Sequence, residues 1–199
     1  MKRVFDILFS LFALITLLPL FLLISFGILL SSRGGVIYSQ HRLGQGGKTF
    51  NCLKFRSMYL NAEKRLDEIL QNNPGLRAEW REKQKLRADP RTFSFGEFLR
   101  KTSLDELPQF WNVLKGDLSI VGPRPYMINQ RSELGPHAFK ILSIRPGITG
   151  LWQTSGRNDK TFHERILLDA EYVAKNSFWL DLQLIAKTLP VVFSSKDAF

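Results

Sequence analysis

Two adjacent carboxylates stand near the middle of the sequence, in a context that suits phosphate chemistry. Asp105 and Glu106 follow the basic residues Arg100 and Lys101, and Pro108 comes two positions after the pair. An ionised carboxylate can attack a substrate as a nucleophile, and a second carboxylate beside it can bind a divalent cation. The pair therefore predicts a reactive centre, although acidic capping of a helix would explain these residues by themselves.

Pro108 indicates where the helix that carries this pair begins. Proline fits only the first turn of a helix, where its missing N–H has no intrahelical partner. A start at about Asp105 places Pro108 in that turn, whereas a capping box from Ser103 to Glu106 does not. The pair is thus predicted at a helix N-terminus, where free N–H groups and the helix dipole would keep the Asp105 carboxylate ionised.

The overall charge indicates an anionic partner. The 199 residues include 28 Lys+Arg against 18 Asp+Glu, which gives a net charge of +10. Such an excess favours nucleic acid, a phospholipid surface or a phosphorylated substrate as the partner. The length allows one domain with a real core. The single cysteine, Cys52, excludes an internal disulfide, and the three histidines are too scattered to have metal-ligand spacing.

The N-terminal segment is predicted to lie in a membrane. Residues 7–30 contain no charged side chain, and a straight helix of that length would extend about 36 Å, against about 30 Å of hydrocarbon. Pro19 is expected to kink the segment. Basic residues flank it on both sides, Arg3 before and Arg33 after, and such flanks favour the cytoplasmic face. A re-entrant anchor over residues 1–33 is therefore predicted, with a single-pass, proline-kinked helix as the alternative.

Residues 34–199 are predicted to form one domain of the α/β class, mostly helical with a short β-hairpin. Two strands, Val36–His41 and Thr49–Phe55, flank a glycine-rich turn whose alternative interpretation is a loose phosphate cradle. Helical periodicity is present over residues 61–71, 161–175 and 177–193. The last of these has a wide apolar face typical of a helix in the membrane interface, with a core helix as the alternative.

Three arginines stand beside glycine and proline. They are Arg124 in Gly122-Pro-Arg-Pro125, Arg145 before Pro146, and Arg157 after Gly156. Neighbouring prolines hold the backbone extended, and a fixed guanidinium can bind a phosphate through two hydrogen bonds. Any one of them could lie in a surface turn. Together with Arg100 they predict a pocket for a polyphosphate.

These motifs together resemble the bacterial sugar transferases, the monotopic phosphoglycosyl transferases. The likeness runs through nearly the whole chain and is carried by Lys2–Asp6, Gln40–Gly44, Lys54–Met58, Arg100 with Thr102–Gln109, Asn112–Gly116, Gly122–Pro125, Arg145–Gly150 and Ser155–Arg157. The membrane helix of this family is often broken at Ser-Pro, where this sequence has Leu18 and Pro19. Larger family members carry a further N-terminal membrane domain, which this chain is expected to lack.

The resemblance implies transfer of a sugar-1-phosphate from a UDP-sugar to polyprenyl (undecaprenyl) phosphate, the first membrane step of surface glycan assembly. The products would be a polyprenyl-diphosphate sugar and UMP. Asp105 would be the nucleophile of a ping-pong mechanism through a phosphosugar-aspartate, and Glu106 with Asp105 would bind Mg²⁺. The residues implied in substrate binding are Arg100, Arg124, Pro125, Arg145 and Arg157.

The expected partners are the UDP-sugar, the polyprenyl phosphate and membrane phospholipid, and not nucleic acid. Self-association as a homo-oligomer is retained as an option. The expected location is the cytoplasmic face of the bacterial inner membrane, as a monotopic protein. Two alternatives remain open: a membrane-tethered basic module that binds anionic lipid or nucleic acid without catalysis, and a transferase that works by a single displacement. The sugar and the glycan are not specified by the sequence.

Overall fold

The computed structural model of the protein describes residues 1–83, 86, 88–155 and 160–193, apart from the side chains of residues 63, 82, 83 and 189–193. The described part is mostly helical with two small sheets, in agreement with the predicted class. Its helices and strands are α1 Lys2–Thr16, α2 Leu18–Ser31, β1 Ile37–Leu43, β2 Thr49–Phe55, α3 Ala62–Asn72, α4 Pro74–Lys83, α5 Ser94–Lys101, α6 Gln109–Lys115, β3 Ser119–Val121, α7 Ala138–Ile141, β4 Gly147–Thr149, α8 Phe162–Lys175 and α9 Phe178–Phe193.

The apolar N-terminal segment folds as two helices, α1 and α2, bent by 61° at their junction. The break lies at Leu17, and Pro19 occupies the first turn of α2, where it lacks only a bond that a helix start does not need. The predicted interruption at this proline is therefore confirmed. Each helix is about 21–23 Å long. Among the described residues, no single helix is long and apolar enough to cross a membrane, and only this bent pair reaches the required length and composition, as a unit.

The helix pair has one face packed on the rest of the protein and one face that remains apolar and exposed. Ile24 and Ile28 of α2 are buried in a cluster with Phe55, Phe93 and Leu99. Large exposed apolar residues cover the other side; they include Leu8, Leu11, Phe12, Ile15, Leu22, Leu23, Phe26 and Leu30. A patch of this kind is typical of a surface that contacts a membrane or another apolar partner.

Both ends of the helix pair are fastened to the same folded body. At the start of α1, Arg3 donates to the carbonyls of Val113 and Leu114 at the end of α6. At the end of α2, the guanidinium of Arg56 donates to Ser32 and to the carbonyl of Gly35. Both ends of the helix pair are therefore held by the same folded body.

The first sheet is the predicted hairpin, with β1 antiparallel to β2 and Gln40 opposite Cys52. Gly46 and Gly47 in its turn have φ of 70° and 76°, values that favour glycine. The amides of Gly44, Gly46 and Gly47 all donate to backbone carbonyls of the protein itself. The turn interpretation is thus confirmed, and the phosphate-cradle alternative is disfavoured because these N–H groups are already used.

The second sheet pairs the two Gly/Pro segments of the sequence, with β3 parallel to β4. Gly122 donates to the carbonyl of Thr149, and Gly147 donates to that of Pro123. A Cβ atom on Gly122 would lie 2.6 Å from the carbonyl oxygen of Arg145, so these backbones approach too closely for any side chain. Glycine is required here by contact, which makes the loop that carries Arg124 a rigid continuation of β3.

The two C-terminal helices follow the predicted ranges closely. Thr161 and Glu164 form a reciprocal capping box at the start of α8. In α9, Leu184 and Asp181 are buried, whereas Trp179 is 70% exposed on the opposite face. The core interpretation is therefore confirmed for one face of α9, and contact of the other face with a membrane interface stays a prediction.

Candidate active site

The acidic pair lies on a 3₁₀ turn, Leu104–Glu106, that precedes α6 instead of forming its first turn. The predicted helix start at about Asp105 is therefore wrong, because α6 begins at Gln109 with Pro108 as its N-cap. The reason lies upstream, where Ser103 has a positive φ of 57° and redirects the chain after α5. Leu104 and Leu107 pack against the apolar cluster around Ile24 and Ile28. The turn that carries the carboxylates thus packs on the same apolar cluster as α2.

Asp105 is more difficult to ionise than its position near a helix suggests. Burial raises the pKa of this carboxyl to about 6; the Lys54 ammonium opposes that shift, and the negative charge of Glu106 adds to it. The helix dipole expected to keep Asp105 ionised is the wrong cause, because the pair precedes α6, but a pKa of about 6 still leaves the carboxylate mostly ionised at neutral pH. The raised pKa results from desolvation, since only 7% of the residue is exposed.

Glu106 differs from its neighbour in both contacts and titration. Burial alone would raise its pKa, but the Lys54 ammonium, with Nζ 2.6 Å from Oε1, and the charges of Arg124 and Arg42 lower it. The surroundings thus separate the pKa values of the two carboxylates, as at sites where two acids have different roles. Glu106 is the permanent anion, whereas Asp105 can exchange a proton near neutral pH.

Lys54 is the cation shared by the pair, and the sequence motifs do not reveal this role by themselves. Its Nζ lies 2.6 Å from Glu106 Oε1 and 3.8 Å from Asp105 Oδ2. Burial would lower its pKa, but the two carboxylates raise it overall, so the ammonium stays charged. The sequence gives one indication that Lys54 faces the site: strand alternation places Lys54 and Cys52 on one face of β2.

Arg42 is a second site residue that motif analysis alone does not identify. It is buried, and its guanidinium donates to Gln40 Oε1 at 2.6 Å and to the carbonyl of Pro125 at 3.2 Å. Burial and the charge of Arg124 lower its pKa to about 10. The hairpin and the Gly122–Pro125 loop therefore meet at this side chain, next to Glu106.

Arg124 is held in place from two directions. Its backbone N–H donates to Asp169 Oδ2 at 3.0 Å, and its guanidinium carbon lies 5.2 Å from the centre of the Trp152 ring. Arg165 contacts the same ring at 5.1 Å. Arg124 is therefore held through both its backbone and its side chain, and its predicted binding of a phosphate is not tested by these contacts.

The other predicted arginines are not all in one place. Arg100, at the end of α5, is close enough for its charge to lower the pKa of Asp105. It also lines a cavity of about 270 Å³. Arg145 donates instead to the carbonyl of Gly116, at the opposite end of α6 from the acidic pair. Arg157 lies outside the described residues. The substrate-binding roles of Arg100, Arg124, Pro125, Arg145 and Arg157 stay predictions.

The donor chemistry of the acidic pair fits a magnesium ion that is completed by substrate. In the part of the chain that the structure describes, no group of three or more His, Cys, Asp and Glu side chains could hold a metal. Mg²⁺ is commonly bound through one or two carboxylates plus water and substrate phosphates, and Asp105 and Glu106 provide two. Taken together, the two carboxylates, Lys54, Arg42 and Arg124 form one charged cluster, and its binding of a phosphate-bearing ligand stays a prediction.

Comparison with known proteins identifies the family. A model of the family described as bacterial sugar transferase matches residues 1–195. The undecaprenyl-phosphate galactose phosphotransferase of Salmonella typhimurium is 44% identical over 199 residues, 100% of this chain and 42% of that protein. The exopolysaccharide production protein ExoY of Sinorhizobium fredii is 44% identical over 198 residues, 100% of this chain and 88% of that protein. The UDP-glucose:undecaprenyl-phosphate glucose-1-phosphate transferase of Xanthomonas campestris is 37% identical over 206 residues, 100% of this chain and 40% of that protein.

The chain therefore belongs to the bacterial sugar transferase family, as its motifs indicate. It spans about two fifths of the length of several of these relatives and most of the length of ExoY. The shared part contains the helix pair, the acidic turn and the Gly122–Pro125 loop.

Proposed function

We propose that this protein transfers a sugar-1-phosphate from a UDP-sugar to undecaprenyl phosphate, for the synthesis of a surface polysaccharide. The observation that carries the proposal is the buried Asp105, which shares the Lys54 ammonium with Glu106. Its turn packs through Leu104 and Leu107 on the apolar cluster that contains Ile24 and Ile28 of α2. The names of the relatives support the same reaction, because they specify undecaprenyl phosphate as acceptor and, in one case, UDP-glucose as donor.

The reaction has two displacements at phosphorus. In the first, ionised Asp105 attacks the sugar-bearing phosphorus of the donor, a carboxylate–phosphorus bond forms, and the bond to UMP breaks. In the second, an oxygen of undecaprenyl phosphate attacks the phosphosugar-aspartate and releases the Asp105 carboxylate unchanged. The pKa of about 6 leaves Asp105 mostly ionised at neutral pH while keeping it weakly hydrated.

The cations around the pair lower the cost of bringing a diphosphate to two carboxylates. Lys54, Arg42 and Arg124 present fixed positive charge next to Glu106, and charge on the transferring and departing phosphates is stabilised by such preorganised groups. Mg²⁺ held by Asp105 and Glu106 would neutralise the donor diphosphate further.

The membrane arrangement of the proposal is a re-entrant anchor at the cytoplasmic face of the inner membrane. Support comes from the two attachments described above, Arg3 to α6 and Arg56 to the end of α2, which place both ends of the helix pair on one body. The lipid acceptor cannot leave the bilayer cheaply, at about 0.8 kcal/mol per buried CH₂. An anchor next to the acidic turn would bring Asp105 to the acceptor.

The reaction is tested by measuring UMP release from UDP-sugars in the presence of Mg²⁺ and undecaprenyl phosphate. We expect release by the native protein, and a phosphosugar adduct on Asp105 when a donor labelled in its sugar-bearing phosphate is supplied without acceptor. Asp105→Asn should form no adduct, whereas Asp67→Asn, which alters an exposed carboxylate of α3, should behave as the native protein. UMP release that requires acceptor, with no adduct, would indicate a single displacement. No release with any donor would favour the non-catalytic basic module.

Topology is tested with an epitope tag before Met1 and a cysteine in place of Lys48 in the hairpin turn. The native Cys52 is buried and should stay unlabelled by an impermeant thiol reagent. In inverted membrane vesicles, we expect both the tag and the new cysteine to be accessible. Access to only one of them would rule out the re-entrant arrangement.

A further inference from the structure

A second buried carboxyl lies outside the acidic pair, on α8. Asp169 is fully buried, and its Oδ2 accepts one hydrogen bond from the backbone N–H of Arg124 at 3.0 Å and another from the Tyr126 hydroxyl at 2.6 Å. Its other oxygen, Oδ1, is buried and has no hydrogen-bond partner among the described residues. Burying a carboxyl oxygen without a hydrogen-bond partner costs folding free energy, so the presence of Asp169 calls for a physical role.

The two groups that Asp169 holds belong to the segment that reaches the acidic pair. Arg124 lies in the Gly122–Pro125 loop, and its charge is close enough to lower the pKa of Glu106. Pro125, between the two groups that Asp169 holds, offers its carbonyl to Arg42. A continuous set of contacts therefore runs from α8, through this loop, to the cations next to Glu106.

The start of the loop is fixed against β4. The hydrogen bond to Asp169 is then the contact that fixes the backbone of Arg124 itself. Gly122 is fixed against β4 by the close backbone approach described above. The Trp152 ring contacts the guanidinium of Arg124 but does not fix the backbone. Without the bond from Arg124 to Asp169, the backbone at Arg124 would keep its attachments only before and after this residue.

We infer that Asp169 is a positioning residue for the transfer reaction: it acts through Arg124, by holding the Gly122–Pro125 loop in the conformation that presents this guanidinium to the phosphates of the donor. The inference rests on the proposed function, because it assigns Arg124 to the donor. Asp169 itself touches no substrate.

The two hydrogen bonds that Asp169 accepts define what a substitution at this position must preserve. Both accepted bonds go to Oδ2, so the amide of an asparagine can accept both with its own oxygen while its NH₂ takes the place of Oδ1. Alanine cannot accept either bond. Phenylalanine in place of Tyr126 removes one bond and keeps the one to Arg124. These variants separate a geometric role from a role that requires negative charge.

The experiment measures UMP release as a function of UDP-sugar concentration, with the full-length protein in membranes, for Asp169→Ala, Asp169→Asn, Tyr126→Phe, Arg124→Ala and the double variant of Asp169→Ala with Arg124→Ala. Glu171→Ala on the same helix, at an exposed ion pair with Lys175, is the matched control. Thermal unfolding of each variant shows whether it is folded.

We expect Asp169→Ala to lower kcat/KM by about 10- to 100-fold, mainly through a higher KM for the donor, and Asp169→Asn to stay within about threefold of the native protein. Tyr126→Phe should fall between them. Because Asp169 acts through Arg124, the double variant should be no worse than Arg124→Ala alone.

Three results would overturn the inference. The first is a double variant whose loss is the product of the two single losses. The second is an Asp169→Asn variant that is folded and as impaired as Asp169→Ala. The third is a set of Asp169 variants that are as active as the Glu171→Ala control. If Asp169→Ala does not fold, UMP release by Asp169→Asn and Tyr126→Phe still tests the inference. Failure of the native protein to release UMP would instead refute the proposed function, which the same assay measures first.

Discussion

Asp105 and Asp169 are both buried carboxyls with raised pKa values, to about 6 and about 7, yet their surroundings differ in kind. Asp105 faces an ammonium 3.8 Å away and has a second carboxylate beside it. Asp169 instead accepts hydrogen bonds from a backbone amide and a phenol. In the first environment an ammonium offsets part of the cost of burying the anion, whereas the second uses the carboxyl as a structural acceptor. Similar burial is thus combined with two different environments, to which the proposals above assign reactivity and positioning.

The largest effect expected from this contrast comes from the same substitution made at both sites. Asp105→Asn should lower kcat for UMP release by at least about 10³-fold, because an amide cannot act as the nucleophile. Asp169→Asn should leave most of the activity. Single-turnover UMP release in membranes measures both. Comparable losses at the two positions would remove the distinction drawn here.

A second test removes the Lys54 ammonium, which distinguishes the surroundings of Asp105 from those of Asp169. Lys54→Met removes the charge that opposes the effect of burial, so the pKa of Asp105 should rise above its value of about 6. Since the ionised form reacts, the rate falls as the pH falls through this pKa, and the acid limb should move to higher pH. At neutral pH we expect a loss of about 100-fold that is partly recovered in alkaline buffer.

The pH profile of single-turnover UMP release, at constant Mg²⁺, measures that shift. Asp169→Asn is the control, and its acid limb should stay near that of the native protein. An unmoved limb in Lys54→Met would show that this ammonium does not control the ionisation of the nucleophile.

A third test disturbs the loop on which Asp169 acts. Gly122→Ala would place a Cβ atom 2.6 Å from the carbonyl oxygen of Arg145, so β3 and β4 must separate. We expect a stability loss of about 1–3 kcal/mol and a higher KM for the donor. Gly35→Ala is the matched control, because its nearest contact would be 3.9 Å away. Thermal unfolding and initial rates compare the two, and equal behaviour would count against a loop fixed by close backbone contact.

The smallest effect is on stability as a function of pH. The pKa of Asp169 is raised in the folded protein above its ordinary value, by burial and against the hydrogen bonds from Tyr126 and Arg124. Folding therefore binds a proton, and the stability that this provides is complete below pH 4 and is lost as the pH rises through about 7. The difference in Tm between Asp169→Asn and the native protein should become more positive by a few degrees from about pH 5 to about pH 8. A difference that does not change with pH would contradict the raised pKa.

The parts of the site that follow from local chemistry were predictable. The break at Pro19, the hairpin turn at Gly46 and Gly47, and the candidate pair Asp105 and Glu106 depend on residue type and near neighbours, which a sequence displays directly. The helices over 162–175 and 178–193 also agree with their apolar periodicity.

The parts that depend on burial were not predictable. The roles of Lys54, Arg42 and Asp169 come from strands and helices distant in sequence. Local pattern gives only partial indications: strand alternation places Lys54 on the face of Cys52, and helical periodicity places Asp169 at the edge of the apolar stripe of its helix. For the same reason, the raised pKa of Asp105 was not predicted, since its desolvation is produced by packing of the turn. The helix start was wrong because the left-handed backbone of Ser103 is set by the connection between α5 and α6.

The attachment of α1 also has a consequence for how the protein is made. Lys2 donates to the carbonyl of Val121 and forms an ion pair with Asp181, and the carboxylate of Asp6 accepts hydrogen bonds from Ser119 and the amide of Ile120. Asp181 follows Lys2 by 179 residues, so the polar residues of α1 cannot complete their contacts until α9 has been synthesised. During synthesis, the apolar face of α1 should thus be able to contact lipid before Lys2 and Asp6 have all of their partners. The remaining contacts would form once α9 is complete.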